Sequence, residues 1–270
     1  MPVLMKTKVS VKALMVVLVL LLLSAGCSRT VVTEELFLSY KVRAGTVLDI
    51  YNPNGEVTIS GWEENEVEIS VVKETYHGQD ALDKVDIFID IAEKMVIETE
   101  HPDSRNNVTV SYEIKLPEDV LVGVVDCSNG NINVQGVNGN PVISTSNGNV
   151  TVNEVKGIIS ARSSNGDLIV GEVNGLAYLR TSNGNIEADL PDVQEDLEII
   201  TSNGSIDLFI AHDLAVDLEA NTSNGKISYS NLDIEPSLVE QTALIGEMNG
   251  GGPKLNISTS NGSIELAQLH

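Results

Sequence analysis

The chain has 270 residues, of which 39 are acidic and 16 basic, for a formal charge of −23; only 4% are aromatic. So acidic a body repels phosphate backbones, which disfavours nucleic acid as a partner, and is repelled by anionic lipid unless tethered to it. With 42% hydrophobic residues a core can form, but small aliphatic side chains must fill it, which suits a narrow layered structure better than a thick sandwich.

Residues 1–26 carry Lys6, Lys8 and Lys12 and no acid, so the remainder is more acidic still. The lysines precede an apolar run over 13–23, which ends in Ser24-Ala25-Gly26-Cys27. A basic start, a short apolar stretch and a small-residue cut site describe a secretory signal peptide over 1–26. A spanning helix needs about 20 apolar residues. The ending resembles a bacterial lipobox, which implies cleavage after Gly26 and a lipid on Cys27. It departs from that pattern in one place: Ser24 stands where Leu is usual, with Leu23 one position further out. Ordinary secretion, with Cys27 merely near the cut, is the alternative. A disulfide to Cys127, the other cysteine, would join a loose terminus to a strand interior and is disfavoured. Residues 27–35 are expected to be a lipidated tether, placing the chain outside the cytoplasm and anchored to the membrane through Cys27.

Residues 36–126 read as β-rich but irregular. Strands are expected over 36–42, 46–51, 56–60, 66–75, 85–91, 94–100, 107–116 and 120–126, with clear alternation in Val67-Ile69-Val71 and Val108-Val110-Tyr112-Ile114. A helical turn is expected near 79–84. The run Asn52-Pro53-Asn54-Gly55-Glu56-Val57 looks like a degenerate copy of a turn that recurs later. This region should begin or cap a stack and protect its first edge.

From residue 127 a repeat is plain. Ser-Asn-Gly recurs with its corners at Asn129-Gly130, Asn147-Gly148, Asn165-Gly166, Asn183-Gly184, Asn203-Gly204, Asn224-Gly225 and Asn261-Gly262. The asparagines are spaced 18, 18, 18, 20, 21 and 37 residues apart. A half-period at Gly139, Gly157 and Gly175 divides each repeat into two arms. Asn-Gly is a strong tight-turn signal because both residues accept positive φ. After each corner apolar residues alternate, as in Ile132 and Val134, Val150 and Val152, Leu168 and Val170; a further valine (Val137, Val155, Val173) marks the bend. The returning arm alternates too: Ile159 and Ala161, Ala177 and Leu179, Leu197 and Ile199, Leu255 and Ile257. Two strands and two turns in about 18 residues fit one coil of a parallel β-solenoid, with coils about 4.8 Å apart. Four or five buried aliphatics per coil, at about 1.5–3 kcal/mol each, stabilise a stack although one coil cannot cover its own faces. Like residues then form ladders, each corner Asn above the next. Thr145, Ser163, Thr181, Thr201, Thr222 and Thr259 share one inward slot and should bond one another or the turn backbone. Cys127 holds that slot in the first repeat and reads as a small buried apolar residue, not a nucleophile. Residues 231–252, with Pro236 and the glycines 250–252, interrupt the rhythm and read as a loop leaving the stack, a candidate contact segment.

The Thr-Ser-Asn-Gly-(Asn/Ser/Asp)-Ile copies, together with Asn-Gly-Glu-Val-Thr-Ile-Ser-Gly-Trp over 54–62 and Ile-Lys-Leu-Pro over 114–117, resemble the DUF4097 family, also labelled adhesins, over roughly 36–270. The resemblance implies a β-solenoid outside the cytoplasm, offers no catalytic residues, and implies for some members a role in envelope stress.

Motifs for chemistry are missing: no His-Glu-x-x-His, Gly-x-Ser-x-Gly or Cys-x-x-Cys occurs, and Asn224-Gly225-Lys226 does not complete a phosphate loop. The carboxylates Glu187 and Asp207 hold one arm position in successive coils, as do Glu154 and Glu172. Pairs so placed could share a proton, hold a divalent cation or cleave glycosides, although a solvated acidic face is the plainer reading. The sequence thus points to a surface lipoprotein that is not an enzyme and needs no cofactor. Its outward Ser144, Arg162 and Arg180 suit a glycan, wall polymer or surface protein. An envelope-stress accessory acting through a membrane protein, or more remotely a polysaccharide-active enzyme, are the other readings.

Overall fold

The computed structural model describes residues 30–101 and 107–269; the expected signal peptide and Cys27 lie outside them. The irregular first part contains β1 (Val32–Tyr40), β2 (Val47–Asn54), β3 (Val57–Trp62), β4 (Val67–Thr75), a short helix α1 (Gln79–Leu82), β5 (Asp86–Ile91), β6 (Met95–Glu100) and β7 (Thr109–Pro117). The repeats supply β8 (Leu121–Asn129), β9 (Ile132–Gln135), β10 (Val142–Asn147), β11 (Val150–Asn165), β12 (Leu168–Arg180), β13 (Ile186–Leu190), β14 (Leu197–Ile200), β15 (Ile206–Ile210), β16 (Val216–Asn224) and β17 (Ile227–Ser230). β18 (Ile234–Val239), β19 (Ala243–Met248), β20 (Lys254–Asn261) and β21 (Ile264–Gln268) complete the chain.

These strands form a two-faced parallel β-solenoid. Face one holds the strands that lead into the Asn-Gly corners. It runs β5, β6, β2, β8, β10, the second half of β11, the second half of β12, β14, β20, β16, β19 and β18. Face two holds the strands that leave those corners. It runs β1, β4, β7, β3, β9, the first half of β11, the first half of β12, β13, β15, β21 and β17. β11 and β12 are long because each passes from face two to face one through the second corner. Between the faces lies one continuous core. In the layer of β14 and β15 it consists of Leu197, Ile199, Ile206, Leu208 and Ile210, all fully buried. The valines of the bend, Val137, Val155 and Val173, are buried as well.

The layers do not stack in chain order at either end. β2 and β3, the first coil in sequence, sit between the β6–β7 layer and the β8–β9 layer. Likewise β20 and β21, the last coil, sit between β14–β15 and β16–β17. At both ends the chain skips one layer, adds antiparallel strands beyond it, and returns to fill the gap. β4 and β5 run antiparallel against β7 and β6 at the base, and β19 against β16 at the top.

Several expectations are corrected here. Residues 231–252 are not a loop leaving the stack: they form the antiparallel hairpin β18–β19, which pairs along β16 from Val216 opposite Met248 to Asn221 opposite Ala243. Leu244 and Met248 are buried, so the segment completes the core that β16 would otherwise expose. Residues 32–35, expected in the tether, already belong to β1, which pairs with β4 throughout and lays Leu36 and Leu38 against the core. The expected boundary between 126 and 127 falls inside β8 and marks no break. Ala177, expected to point inward, is exposed, because a bulge at Ile159/Ser160 aligns Ile159 with Leu176 and buries Leu176 instead.

Candidate binding faces

The Asn-Gly corners form one column on the edge of the stack. The Asn147 side-chain N–H donates to Asn129 Oδ1 at 2.7 Å, Asn165 to Asn147 at 2.9 Å, and Asn183 to Asn165 at 2.8 Å. Asn203 donates to Asn183 at 2.9 Å, Asn261 to Asn203 at 2.8 Å, and Asn224 to Asn261 at 2.9 Å. Asn203 thus meets Asn261, not Asn224, its successor in sequence. None of these asparagines has positive φ. Of the seven corner glycines only Gly130 and Gly166 have positive φ, 156° and 158°, so crowding and not turn geometry is the shared reason for glycine. A Cβ on Gly184 would lie 2.1 Å from the Gly166 carbonyl oxygen, and one on Gly204 would lie 1.9 Å from that of Gly184. The same clash, at 1.9 to 2.0 Å, recurs for Gly130, Gly148, Gly166, Gly225 and Gly262. The corners stack too closely for any side chain.

Immediately inside this column runs a column of hydroxyls. Thr145 donates to the Gly130 carbonyl at 3.1 Å, Ser163 to Gly148 at 3.0 Å, Thr181 to Gly166 and Thr201 to Gly184 at 2.9 Å. Thr259 donates to Gly204 at 2.9 Å and Thr222 to Gly262 at 2.8 Å. Each hydroxyl therefore ties its layer to the corner of the layer below, satisfying a carbonyl that burial would otherwise strand. The Cys127 thiol takes the same step, donating to the Gly55 carbonyl at 3.2 Å. Cys127 is a free, buried thiol whose pKa burial pushes up to about 11. It stays protonated at neutral pH, so it is no nucleophile. Asn52 fills this slot one layer lower and donates to the Val110 carbonyl at 2.8 Å.

The acidic candidates fall on two sites. Glu187 and Asp207 are adjacent and in register on the outer side of face two, and Glu265 continues their column. Burial raises the Asp207 pKa, and the charges of Glu265 and Glu187 raise it further. The third member follows its Gly262 by three residues, as Glu187 follows Gly184, so its arm position was legible. Its place beside Asp207 was not, because chain order would put Ser228 there. Glu154 and Glu172 lie at the second corner with φ of 53° and 50°; the Glu172 backbone N–H donates to Asp189 Oδ2 at 3.2 Å. Their shared position is one of backbone geometry. Among the described residues, no three His, Cys, Asp or Glu side chains are placed to share a metal ion.

The outer side of face one differs. Arg162 and Arg180 are cross-strand neighbours. Beyond Arg162 lies Ser144, largely covered and hydrogen-bonded to Asp126. A depression of about 570 Å³ opens where the hairpin meets face one; Asp217, Glu219, Glu235, Glu247, Lys254 and Asn256 help to line it.

No curated protein matches the chain. It is similar to a solved structure from Clostridium sporogenes, provisionally named a cell adhesion protein, at 14% identity over 88% of this chain and 100% of that one, with a TM-score of 0.42. It is also similar to one from Bacteroides fragilis, provisionally named an adhesin, at 12% identity over 88% and 98%, with a TM-score of 0.42. A third, from Parabacteroides distasonis and provisionally named a lipid-binding protein, shares 13% identity over 87% and 96%, with a TM-score of 0.43. Residues 46–267 match the family described as Toastrack DUF4097. With that match spanning most of its length, and with its layers closed at Asn-Gly corners, the chain belongs to the Toastrack DUF4097 family.

Proposed function

We propose that this protein is an extracytoplasmic lipoprotein that holds the far end and the flat sides of its stack out to a polar partner: a glycan, a wall polymer or a surface protein. The observation that carries this reading is the polarity of the solenoid. β1, the first described strand, begins at Val32, five residues after Cys27, and lies at the outer edge of the base. The acidic groove beside the β18–β19 hairpin lies at the opposite end. Ten strand spacings separate β1 from β17 along face two, which at about 4.8 Å each is roughly 48 Å. A lipid on Cys27 would set the base against the membrane and leave the groove furthest from it. No helix among the described residues is long and apolar enough to cross a membrane; in this reading the anchor is the lipid on Cys27, left at the N-terminus when the leader over 1–26 is cut away. The reading is one of binding without catalysis, with Glu187, Asp207 and Glu265 taken as an acidic column along the outer side of face two.

Two measurements test it. The full chain, expressed in a bacterium with a lipoprotein pathway, should carry a labelled fatty acid and fractionate with membranes, and Cys27→Ala should lose both. A soluble, unlabelled wild type would remove the anchor. Retention of the purified chain on surface polymers should weaken at least severalfold when Glu219 and Glu247 are both changed to Lys; retention on nothing in such a panel would end the binding reading.

A further inference from the structure

Four lysines among the described residues answer a nearby carboxylate. Lys73 pairs with Glu34, Lys94 with Asp49, Lys115 with Glu68 and Lys156 with Glu118, at 2.8 to 3.5 Å. In a chain of net charge −23 that is the expected arrangement. Arg162 and Arg180 instead meet a like charge. They stand side by side in register on adjacent parallel strands, and neither makes an ion pair among the described residues. Like charges directly opposite on a sheet oppose folding, so stability does not explain the pair. Such local conflicts are expected where a surface serves a ligand.

The surroundings fit one. Arg162 and Arg180 line a depression of about 380 Å³ together with Ser144, Ser146, Ser164 and Ser182. The one acid there, Asp126, is engaged by the Ser144 hydroxyl. Ile200, not a carboxylate, follows Arg180 in the column above. Side chains from adjacent strands start about 4.8 Å apart, close enough for both guanidinium forks to converge on one oxyanion, which each can bind through two parallel N–H bonds. The serines supply hydroxyls of the kind that meet sugar hydroxyls.

We propose that Arg162 and Arg180 form an oxyanion subsite on face one, which takes a phosphate, sulfate or carboxylate group carried on a sugar. The inference rests on the reading of the outer faces as contact surfaces and names the chemistry of one of them. The strongly acidic remainder selects for a compact anionic group over a long polyanion such as nucleic acid, whose other charges it repels.

The test follows the arginine Nε–H resonances of the full chain during titration with inorganic phosphate, then with glucose 6-phosphate and with glucose. Phosphate should shift Arg162 and Arg180 saturably while leaving Arg43 unmoved, and glucose 6-phosphate should bind at least tenfold more tightly than glucose. Arg162→Gln should weaken both anions at least tenfold and leave Tm unchanged or raised, since it removes a repulsion. Linear shifts, equal shifts at Arg43, a lowered Tm in Arg162→Gln, or tighter binding of a single-stranded oligonucleotide than of glucose 6-phosphate would each overturn the subsite. Retention on neutral polymers without a phosphate response sinks the subsite and spares the contact reading. A saturable phosphate response in a chain that no surface polymer retains does the reverse.

Discussion

The middle of the stack and its two ends are made from the same kind of coil, yet they meet different demands. In the middle, from β8 to β15, each layer rests on the one before it in sequence. Corner asparagine donates to corner asparagine, and each inward hydroxyl donates to a corner carbonyl one layer away. At the ends there is no next layer. Continuing the repeat would leave an open strand edge and an uncovered core, a template for aggregation. Base and top reach a similar remedy: antiparallel strands, which need not supply another Asn-Gly corner, cover the last parallel layer on both faces at the base and on face one at the top, and the chain then doubles back into the gap. Regularity is thus what an interior layer needs, and departure from the repeat is how the fold stops.

The comparison can be broken most severely at the top. Replacing 231–252 by a short Gly-Ser linker removes the buried Leu244 and Met248 and bares the edge of β16. We expect a loss of about 5 kcal/mol, seen in denaturant unfolding, with concentration-dependent association by light scattering. A monomer of undiminished stability would show that the hairpin is no cap.

The interior is next. Gly184→Ala puts a methyl 2.1 Å from a backbone oxygen of the layer below, and because neighbouring layers hold that backbone in place the cost should be about 3 kcal/mol. Its control lies at the top: Gly250 has φ of 87° and no neighbour within 4 Å, so Gly250→Ala should cost only the left-handed strain, about 1 kcal/mol. Equal effects would show that the corners are turns like any other.

Asp207 offers a smaller and pH-dependent test. Its folded pKa is raised above the ordinary 3.8 by burial and by Glu265 and Glu187. The proton therefore favours the folded state, and stability falls as pH rises from about 4 through the folded value. Asp207→Asn should gain under about 1 kcal/mol at neutral pH, and that gain should vanish below pH 4. A constant offset at all pH values would remove the electrostatic cause. The gentlest change is Cys127→Ser, which keeps a donor in the hydroxyl column and should alter stability by less than about 1 kcal/mol. In a Cys27→Ala background the native Cys127 thiol should resist Ellman's reagent until the chain unfolds; ready reaction of the native protein would contradict its burial.

Much of the layer was legible from the residues. The alternation of Ile132 with Val134 or of Leu197 with Ile199 is a local signal, and the structure buries all four. The inward slot of Thr145, Ser163, Thr181, Thr201, Thr222 and Thr259 was legible for the same reason. The role of the corner glycine was legible in position only. Asn-Gly suggested positive φ, while the structure shows ordinary φ at the asparagines and a crowding between layers that a single coil does not reveal. Ala177 went astray because a one-residue bulge resets parity without leaving a mark in composition.

What the sequence alone determined is what each coil looks like, since period-two burial and corner chemistry are settled within about 18 residues. Only the tertiary structure decided which coil lies on which. The repeats present nearly identical edges, so any could stack on any other, and the order at each end follows from how the hairpins close the core. That decision brought Glu265 to Asp207 and Asn261 to Asn203. The unanswered charge of Arg162 and Arg180 likewise emerged only once each neighbouring layer was in place.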